Sequence, residues 1–455
     1  MINIDSRGCG VGKTTGTTNS IFADVKEKYL LGQQCLIVLP SIRMFKEYDN
    51  YLSSIIDCPD DLVSIHSGNS DTQTVHRLFE ALGDRKQIIV ITAHTFMKHK
   101  WHNGVKQNYY LYIDEALTVY RELKFWEKRT SKITLDWSKH TKEVSLINSN
   151  IYAPDWHLMT VEDGLADSSF VSDNASARQL QDSNWLNWVT AVDYQCMLSP
   201  ISNRAFYVIQ ELNADIMREW KYVRVACAAF HVTFMSAWLT SNKIDYKVLP
   251  HCKFVKSTAN MTVHFPVLDN AINWSMSKKK NGHWIHAAFS EYVQNLSITD
   301  PVLFLRNKND STKGLYATEQ SVPFNAHGLN DWMKYNKVSL EATINLTPQL
   351  NKWFKDHLTD FDSYLARTGY DFYQVLMRCC LRLGKPADVY VIEVKLVTQV
   401  FDHFFEDFDY EYMEFQSLEA DAKLQGHKAI PLTSAQKQKS YRERKKQELI
   451  ENKLK

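Results

Sequence analysis

An α/β architecture with parallel sheets is what this sequence predicts, and three observations carry it. Continuous apolar, β-branched runs recur at Cys35-Leu36-Ile37-Val38-Leu39-Pro40 and Gln87-Ile88-Ile89-Val90-Ile91-Thr92. Such runs are typical of strands buried on both faces of a parallel sheet, and each leads into a helix-like segment. The short stretch Ile2-Asn3-Ile4 runs into the glycine turn Arg7-Gly8-Cys9-Gly10-Val11-Gly12-Lys13-Thr14-Thr15. A further strand, from Tyr110 to Ile113, ends on Asp114-Glu115-Ala116.

With 455 residues the chain is long enough for two to four domains, at roughly 100–200 residues each. A hydrophobic share of 44% and a charged share of 23% exclude a disordered or fibrous chain. The formal net charge of +1 announces no global field toward nucleic acid or membrane, so any such partner must meet a local patch. No apolar run approaches the roughly 20 residues that cross a bilayer, and the first residues lack a signal-peptide layout. The expectation is a cytoplasmic protein without a membrane partner. Eight scattered cysteines form no C-x-x-C pair and no zinc spacing, so they read as reduced, mostly packing thiols.

A strand, a glycine turn and Lys-Thr at a helix start form the layout of a phosphate-binding loop. Gly10, Val11, Gly12, Lys13, Thr14 and Thr15 would curl backbone N–H groups around an anion, helped by the helix dipole. Lys13 would reach the β- and γ-phosphates, and Thr14 would ligate Mg²⁺. Arg7 stands where the usual pattern begins with glycine, and the bland alternative is a turn that happens to carry Lys-Thr. Asp114 lies at a strand's C-terminal edge, where α/β ligand sites lie. It would hold Mg²⁺, while Glu115 would activate water as a general base. Ser41, Arg43, Thr92, His94 and Thr95 follow the two buried runs, and plain helix capping is the commoner role of such hydroxyls.

With these motifs the chain resembles the superfamily 2 helicases, in the DEAD-like group that includes many viral and bacteriophage replication ATPases. Asp114-Glu115-Ala116-Leu117 resembles the D-E-A-x box, and Leu39-Pro40-Ser41 and Ile91-Thr92-Ala93-His94-Thr95 resemble the strand-end motifs that grip a nucleic-acid backbone. Val225-Ala226-Cys227-Ala228-Ala229 stands where a Ser-Ala-Thr coupling motif falls, with both hydroxyls missing. Val302-Leu303-Phe304-Leu305 resembles the opening strand of a second lobe. Phe324-Asn325-Ala326-His327-Gly328, followed by a strand through Ile344-Asn345, resembles motif V, with Gly328 at the nucleotide. Gln374, Arg378 and Arg382 resemble the arginine-finger motif VI. Their spacing of four predicts one face of a single helix; apolar neighbours suggest burial, with a solvated basic face as the alternative.

The resemblance implies two RecA-like P-loop lobes with parallel sheets, ATP and Mg²⁺ as cofactors, and nucleic acid as partner, DNA before RNA, with replication or recombination proteins as possible associates. No glutamine motif for adenine precedes the loop, so ATP is assumed by analogy. The first lobe is expected at 1–122 and 216–235, an inserted aromatic-rich module at 123–215, the second lobe at 236–400, and a charged helical tail within 401–455. Lys124, Lys128 and Arg129 open a strip, 124–142, with six basic and two acidic residues around Trp126 and Trp137. Cations interleaved with rings suit single-stranded nucleic acid, and solvated surface is the alternative. Trp185 and Trp188 read as module core. Residues 402–421 hold eight acids with interspersed aromatics and read as a packed amphipathic element; 437–455 carry eight basic residues against three acidic. The sequence-level expectation is therefore an ATP-dependent helicase or translocase. The alternatives are a P-loop packaging motor and a nucleic-acid-binding protein with a degenerate ATPase.

Overall fold

The computed structural model describes residues 1–67, 71–125, 144–147, 155–161, 179–198, 205–258, 260–266, 284–298, 300–307, 320–321, 332–358, 360–392 and 401–413. The chain divides into two compact units, the first made of Met1–Arg7, Val11–Phe254 and Leu346–Ser363, the second of Gly8–Gly10, Val255–Asn345 and Tyr364–Lys455.

In the first unit, strands β1 (Ile2–Asp5), β2 (Gln34–Leu39), β3 (Leu62–Ile65), β4 (Ile88–Thr92) and β5 (Tyr109–Asp114) alternate with helices. Strands β6 (Tyr120–Phe125), β7 (Val144–Ile147), β8 (Trp156–Val161), β9 (Trp185–Thr190) and β10 (Phe206–Leu212) follow, then β11 (Tyr222–Ala226) and β12 (Tyr246–Val248). Seven of these form one sheet in the order β12-β1-β11-β5-β2-β4-β3. Every pairing in it is parallel, as the buried β-branched runs predict. Cys35 through Leu39 and Ile88 through Ile91 have no solvent exposure, because helices cover both faces. On one face Phe22, Val25 and Tyr29 of the helix Ile21–Leu30 and Phe45, Tyr48 and Leu52 of the helix Phe45–Ser53 pack on Ile37, Leu39 and Tyr112. Burying each such side chain contributes about 1.5–3 kcal/mol.

The segment from β6 to β10 forms a separate antiparallel sheet of five strands, ordered β6-β10-β9-β8-β7. Trp185 and Trp188 are buried in it, and the Arg121 guanidinium lies 3.9 Å from the Trp185 ring centroid. The helix Pro348–His357 joins this unit, with Trp353 tilted against Tyr120 at 4.9 Å between ring centroids.

The second unit contains β13 (Ser257–Thr258), β14 (Met261–Pro266), β15 (Val302–Leu305), β16 (Gln320–Ser321), β17 (Lys337–Leu340), β18 (Ala387–Val391), β19 (Phe405–Glu406) and β20 (Asp409–Met413). Six of them form a sheet ordered β16-β15-β17-β18-β14-β20, with parallel pairing throughout. β17 ends at Leu340, short of the expected Ile344-Asn345. The acid-rich segment adds the edge strand β20, while Phe401, Phe404 and Phe405 are buried. The basic run 437–455 lies outside the described residues. Among those described, no helix is long and apolar enough to cross a membrane.

One buried charge network fastens the first sheet. Asp5, fully buried at the end of β1, accepts from Arg7 Nε at 2.8 Å and from Arg224 Nη2 at 2.9 Å; Arg224 also pairs with Asp24. Burial pushes the Asp5 carboxyl up, but the Arg7 and Arg224 guanidiniums outweigh it and hold it below the usual range. Its contribution to stability is therefore present above the ordinary carboxylate pKa of about 4 and is lost as pH falls through the lower folded value. Arg224→Leu leaves both carboxylates short of a partner and is expected to cost about 3–5 kcal/mol in urea denaturation at neutral pH, with a smaller acid-side loss than the parent protein.

Candidate functional site

β1 delivers the chain to the sheet's C-terminal edge, where register fixes the neighbours. Asp5 pairs with Ala226, Ala226 with Asp114, Val38 with Ile113, and Leu39 with Thr92. The turn after β1, the Asp-Glu pair after β5, Pro40–Arg43 after β2 and Ala93–His94 after β4 therefore leave one edge in one row.

The glycine turn needs its glycines. Gly12 has φ +77°, a left-handed conformation costly for other residues. Gly16 donates its N–H to the Gly12 carbonyl at 2.9 Å, and a Cβ on Gly16 would stand 2.6 Å from that oxygen. The expected helix start at Lys13-Thr14 is corrected: the helix begins at Ile21, capped by the Ser20 hydroxyl, which accepts from Ala23 N at 3.1 Å. Gly16, two threonines and Asn19 at φ +52° separate loop from helix, residues poor at propagating a helix. The helix's first donors, Ile21 and Phe22 N–H, go to the Lys13 and Thr14 carbonyls at 2.9 and 3.1 Å.

Lys13 is buried, and its ammonium donates to the Arg7 carbonyl at 3.0 Å. Thr14 Oγ1 donates to the Asp114 carboxylate, 3.2 Å from Oδ1 and 3.1 Å from Oδ2. Tyr48 Oη donates to Asp114 Oδ2 at 2.7 Å. Burial, then the Glu115 charge, push Asp114 up to about 6, against the Tyr48 and Thr14 bonds and the Lys13 charge. Glu115 is half-buried, has φ +81° and donates its N–H to the Ala226 carbonyl at 2.9 Å. A non-glycine residue held left-handed is strained, and such strain collects at working sites. A hydroxyl beside a carboxylate is a hard-oxygen donor set that fits Mg²⁺, which takes one or two carboxylates and retains waters. Among the described residues no group of three or more His, Cys, Asp or Glu could hold a metal by itself.

The strand-end residues divide. The Thr92 hydroxyl is occupied in capping, accepting from Thr95 N at 3.1 Å. Ser41 makes no capping bond, and its buried Oγ has no partner. Pro40 is half-buried, and Arg43, His94, Val11 and Thr15 are exposed. Lys124 is exposed on β6, its ammonium 5.2 Å from the Tyr207 ring centroid. Lys128, Arg129 and Gly328 lie outside the described residues.

In the second unit the single-helix expectation for Gln374, Arg378 and Arg382 fails. The helix Tyr370–Leu376 ends before Arg378, Cys379 is extended, and Arg382 lies in the 3₁₀ turn Cys380–Leu383. Cys380 N–H donates to the Tyr335 carbonyl at 3.0 Å instead of to its own helix, which breaks the ladder. Gln374 is buried, donating to Tyr370 Oη at 2.8 Å, and accepts from Cys9 Sγ at 3.4 Å within the same unit. A Cβ on Gly10, at φ +83°, would stand 3.0 Å from Arg382 Nε. Arg378 is buried, and its Nε has no hydrogen-bond partner.

Tyr48, Arg224 and Asp24 support the site, and none was singled out from sequence. Tyr48 shares the 3–4 spacing of Phe45 and Leu52, so periodicity makes it a core residue; only the fold shows its hydroxyl against Asp114.

No protein-family model and no curated protein matches the chain. Solved structures overlap it loosely. Xpd4 of S. tokodaii is 11% identical with a TM-score of 0.45, over 90% of this chain and 96% of that one. The DUF1998 helicase MrfA, bound to DNA and AMPPNP, is 9% identical with a TM-score of 0.40, over 93% of this chain and 51% of that one. A DEAD box protein of Methanococcus jannaschii is 12% identical with a TM-score of 0.29, over 90% and 88%.

The raised Asp114 pKa has a stability consequence. The folded metal-free protein retains a proton between about pH 4 and 6 that the unfolded chain releases, so the cost of Asp114 grows as pH rises through that window. Metal-free Asp114→Asn is expected to be more stable than the parent by on the order of 2–3 kcal/mol at pH 7. Urea titrations in a chelator should show that difference vanish near pH 4.

Proposed function

We propose that the chain is an ATP-dependent, nucleic-acid-stimulated motor, a helicase or translocase acting on DNA. The observation that supports this reading most is the convergence of Thr14 Oγ1 on Asp114 within 3.1–3.2 Å, with Lys13 and Glu115 on the same loop edge. Lys13 binds the β- and γ-phosphates of ATP. Thr14 and Asp114 would hold Mg²⁺, with the Asp114 carboxylate oriented by Tyr48. The bound metal supplies neutralisation of phosphate charge during transfer. Glu115 orients the attacking water and takes its proton. The resemblance gives Arg378 a charge-stabilising role, and its unfilled Nε is consistent with an anionic partner. Arg43 and His94, exposed beside each other's strand ends, are assigned to the nucleic-acid backbone. ATP binding and hydrolysis bias two states of different nucleic-acid affinity.

One observation favours a motor that hydrolyses without unwinding. Cys227 and Ala229, on either side of Ala228, are fully buried and offer no hydroxyl where the resembled family couples hydrolysis to strand separation. Strand displacement beside ATP hydrolysis, each with and without single-stranded DNA, separates the readings: stimulated hydrolysis with no displacement favours the translocase.

Lys13→Ala and Glu115→Gln are each expected to lower turnover by roughly 10²-fold or more, with Glu115→Gln retaining nucleotide binding. Turnover that survives both changes overturns the assignment. Arg378→Ala is expected to lower turnover while leaving the metal-free fold intact by circular dichroism.

A further inference from the structure

The tip of the glycine turn, Gly8–Gly10, counts with the second unit, as do the helix Tyr370–Leu376, the short helix Asp402–Phe404 and β19. Cys9 donates its backbone N–H to Tyr373 Oη at 3.1 Å, and its Sγ donates to Gln374 Oε1 at 3.4 Å. The turn lies so close to the phenol that a Cβ on Gly8 would stand 3.3 Å from its oxygen.

Tyr373 is fixed from behind. It is fully buried, and its ring stacks on Phe404 with centroids 4.7 Å apart and planes within 14°, with Phe405 at 5.7 Å. The Ser257 hydroxyl of β13 bonds the same phenol, and Ser257 pairs with Phe405 across β13 and β19. Burial pushes the phenol well above its ordinary range, so it remains a neutral hydroxyl. A glycine turn holds an anion by presenting backbone N–H groups to it, and the Cys9 N–H is spent on this hydroxyl instead. A phosphate oxyanion is the stronger acceptor, but it must first displace a partner that two phenylalanines and a serine hold in place.

We propose that Tyr373 is an autoinhibitory latch on the glycine turn, whose phenol competes with nucleotide for the loop tip and is held shut by Phe404 and Phe405. The inference rests on the reading of that turn as the nucleotide site and adds its regulation. The apparent affinity of a site whose competent form is only partly populated falls by that fraction. Releasing the latch therefore tightens nucleotide binding, the opposite of what losing a purely structural bond does.

Calorimetric titration of the full chain with Mg²⁺ and AMPPNP, a non-hydrolysed ATP analogue, tests it beside steady-state hydrolysis of ATP. Tyr373→Phe keeps the stacked ring and removes only the hydroxyl; it should bind the analogue roughly three- to tenfold tighter than the parent. KM for ATP should fall by a similar factor, with kcat not reduced. Phe404→Leu keeps the hydroxyl, loosens its backing and should shift affinity in the same direction by a smaller factor. Where Tyr373→Phe fails to fold by circular dichroism, the sign of that second shift decides. Unchanged or weaker binding by folded Tyr373→Phe overturns the latch and leaves the nucleotide site standing. Tighter binding that survives an added Lys13→Ala comes from another site and overturns the latch too. No binding by the parent or either variant overturns the nucleotide reading together with the latch.

Discussion

Asp5, a carboxylate without solvent access, is held by Arg7 Nη2 at 2.6 Å and Arg224 Nη2 at 2.9 Å. Both guanidiniums also reach the Asn19 carbonyl, Arg224 at 2.7 Å. The two ends of the glycine-rich loop are thus tied to the same pair of arginines, one on the loop and one on β11. Burying this many charges carries a desolvation cost that only dense hydrogen bonding offsets. Its specificity is the return: a loop rich in glycine and threonine has little intrinsic preference for one conformation, and the network selects one. The position of Lys13 depends on that choice, since its ammonium is anchored on the carbonyl of Arg7.

The parallel sheet does the remaining alignment. Because Asp5, Ala226 and Asp114 are register partners, Thr14 meets Asp114 without a long side chain bridging the distance. The same geometry brings Glu115 and Asp114 together as adjacent carboxylates at a buried edge. Their mutual repulsion, added to burial, is what lifts Asp114 toward neutrality, and the Tyr48 and Thr14 hydroxyls limit the rise. A cation held by the pair would relieve both causes at once.

Much of the first unit was legible because parallel strands write themselves as continuous apolar runs. β2, β4 and β5 stand within a residue of the expected stretches, and β15 matches Val302–Leu305. Helix starts were less legible: Lys13-Thr14 reads as a helix opening by pattern, but Gly16 through Asn19 and the Ser20 cap postpone it to Ile21. Likewise the four-residue spacing of Gln374, Arg378 and Arg382 is a true helical period that a long-range bond from Cys380 to the Tyr335 carbonyl interrupts. Spacing cannot register a competing acceptor forty-five residues away. Tyr48, Arg224 and Tyr373 share this blind spot, because their roles rest on partners distant in sequence.

The late helix start also bears on how the proposed phosphate site would attract an anion. Ile21, Phe22 and Ala23 already donate to Lys13 O, Thr14 O and Ser20 Oγ, so the helix terminus does not present its first amides to a phosphate. On the proposed reading, the attraction would come from the ammonium of Lys13 instead. Lys13 Nζ rests on a neutral carbonyl at 3.0 Å; exchanging that partner for a phosphate oxyanion replaces a neutral acceptor by a charged one, and bonds between two ionised groups are the stronger kind.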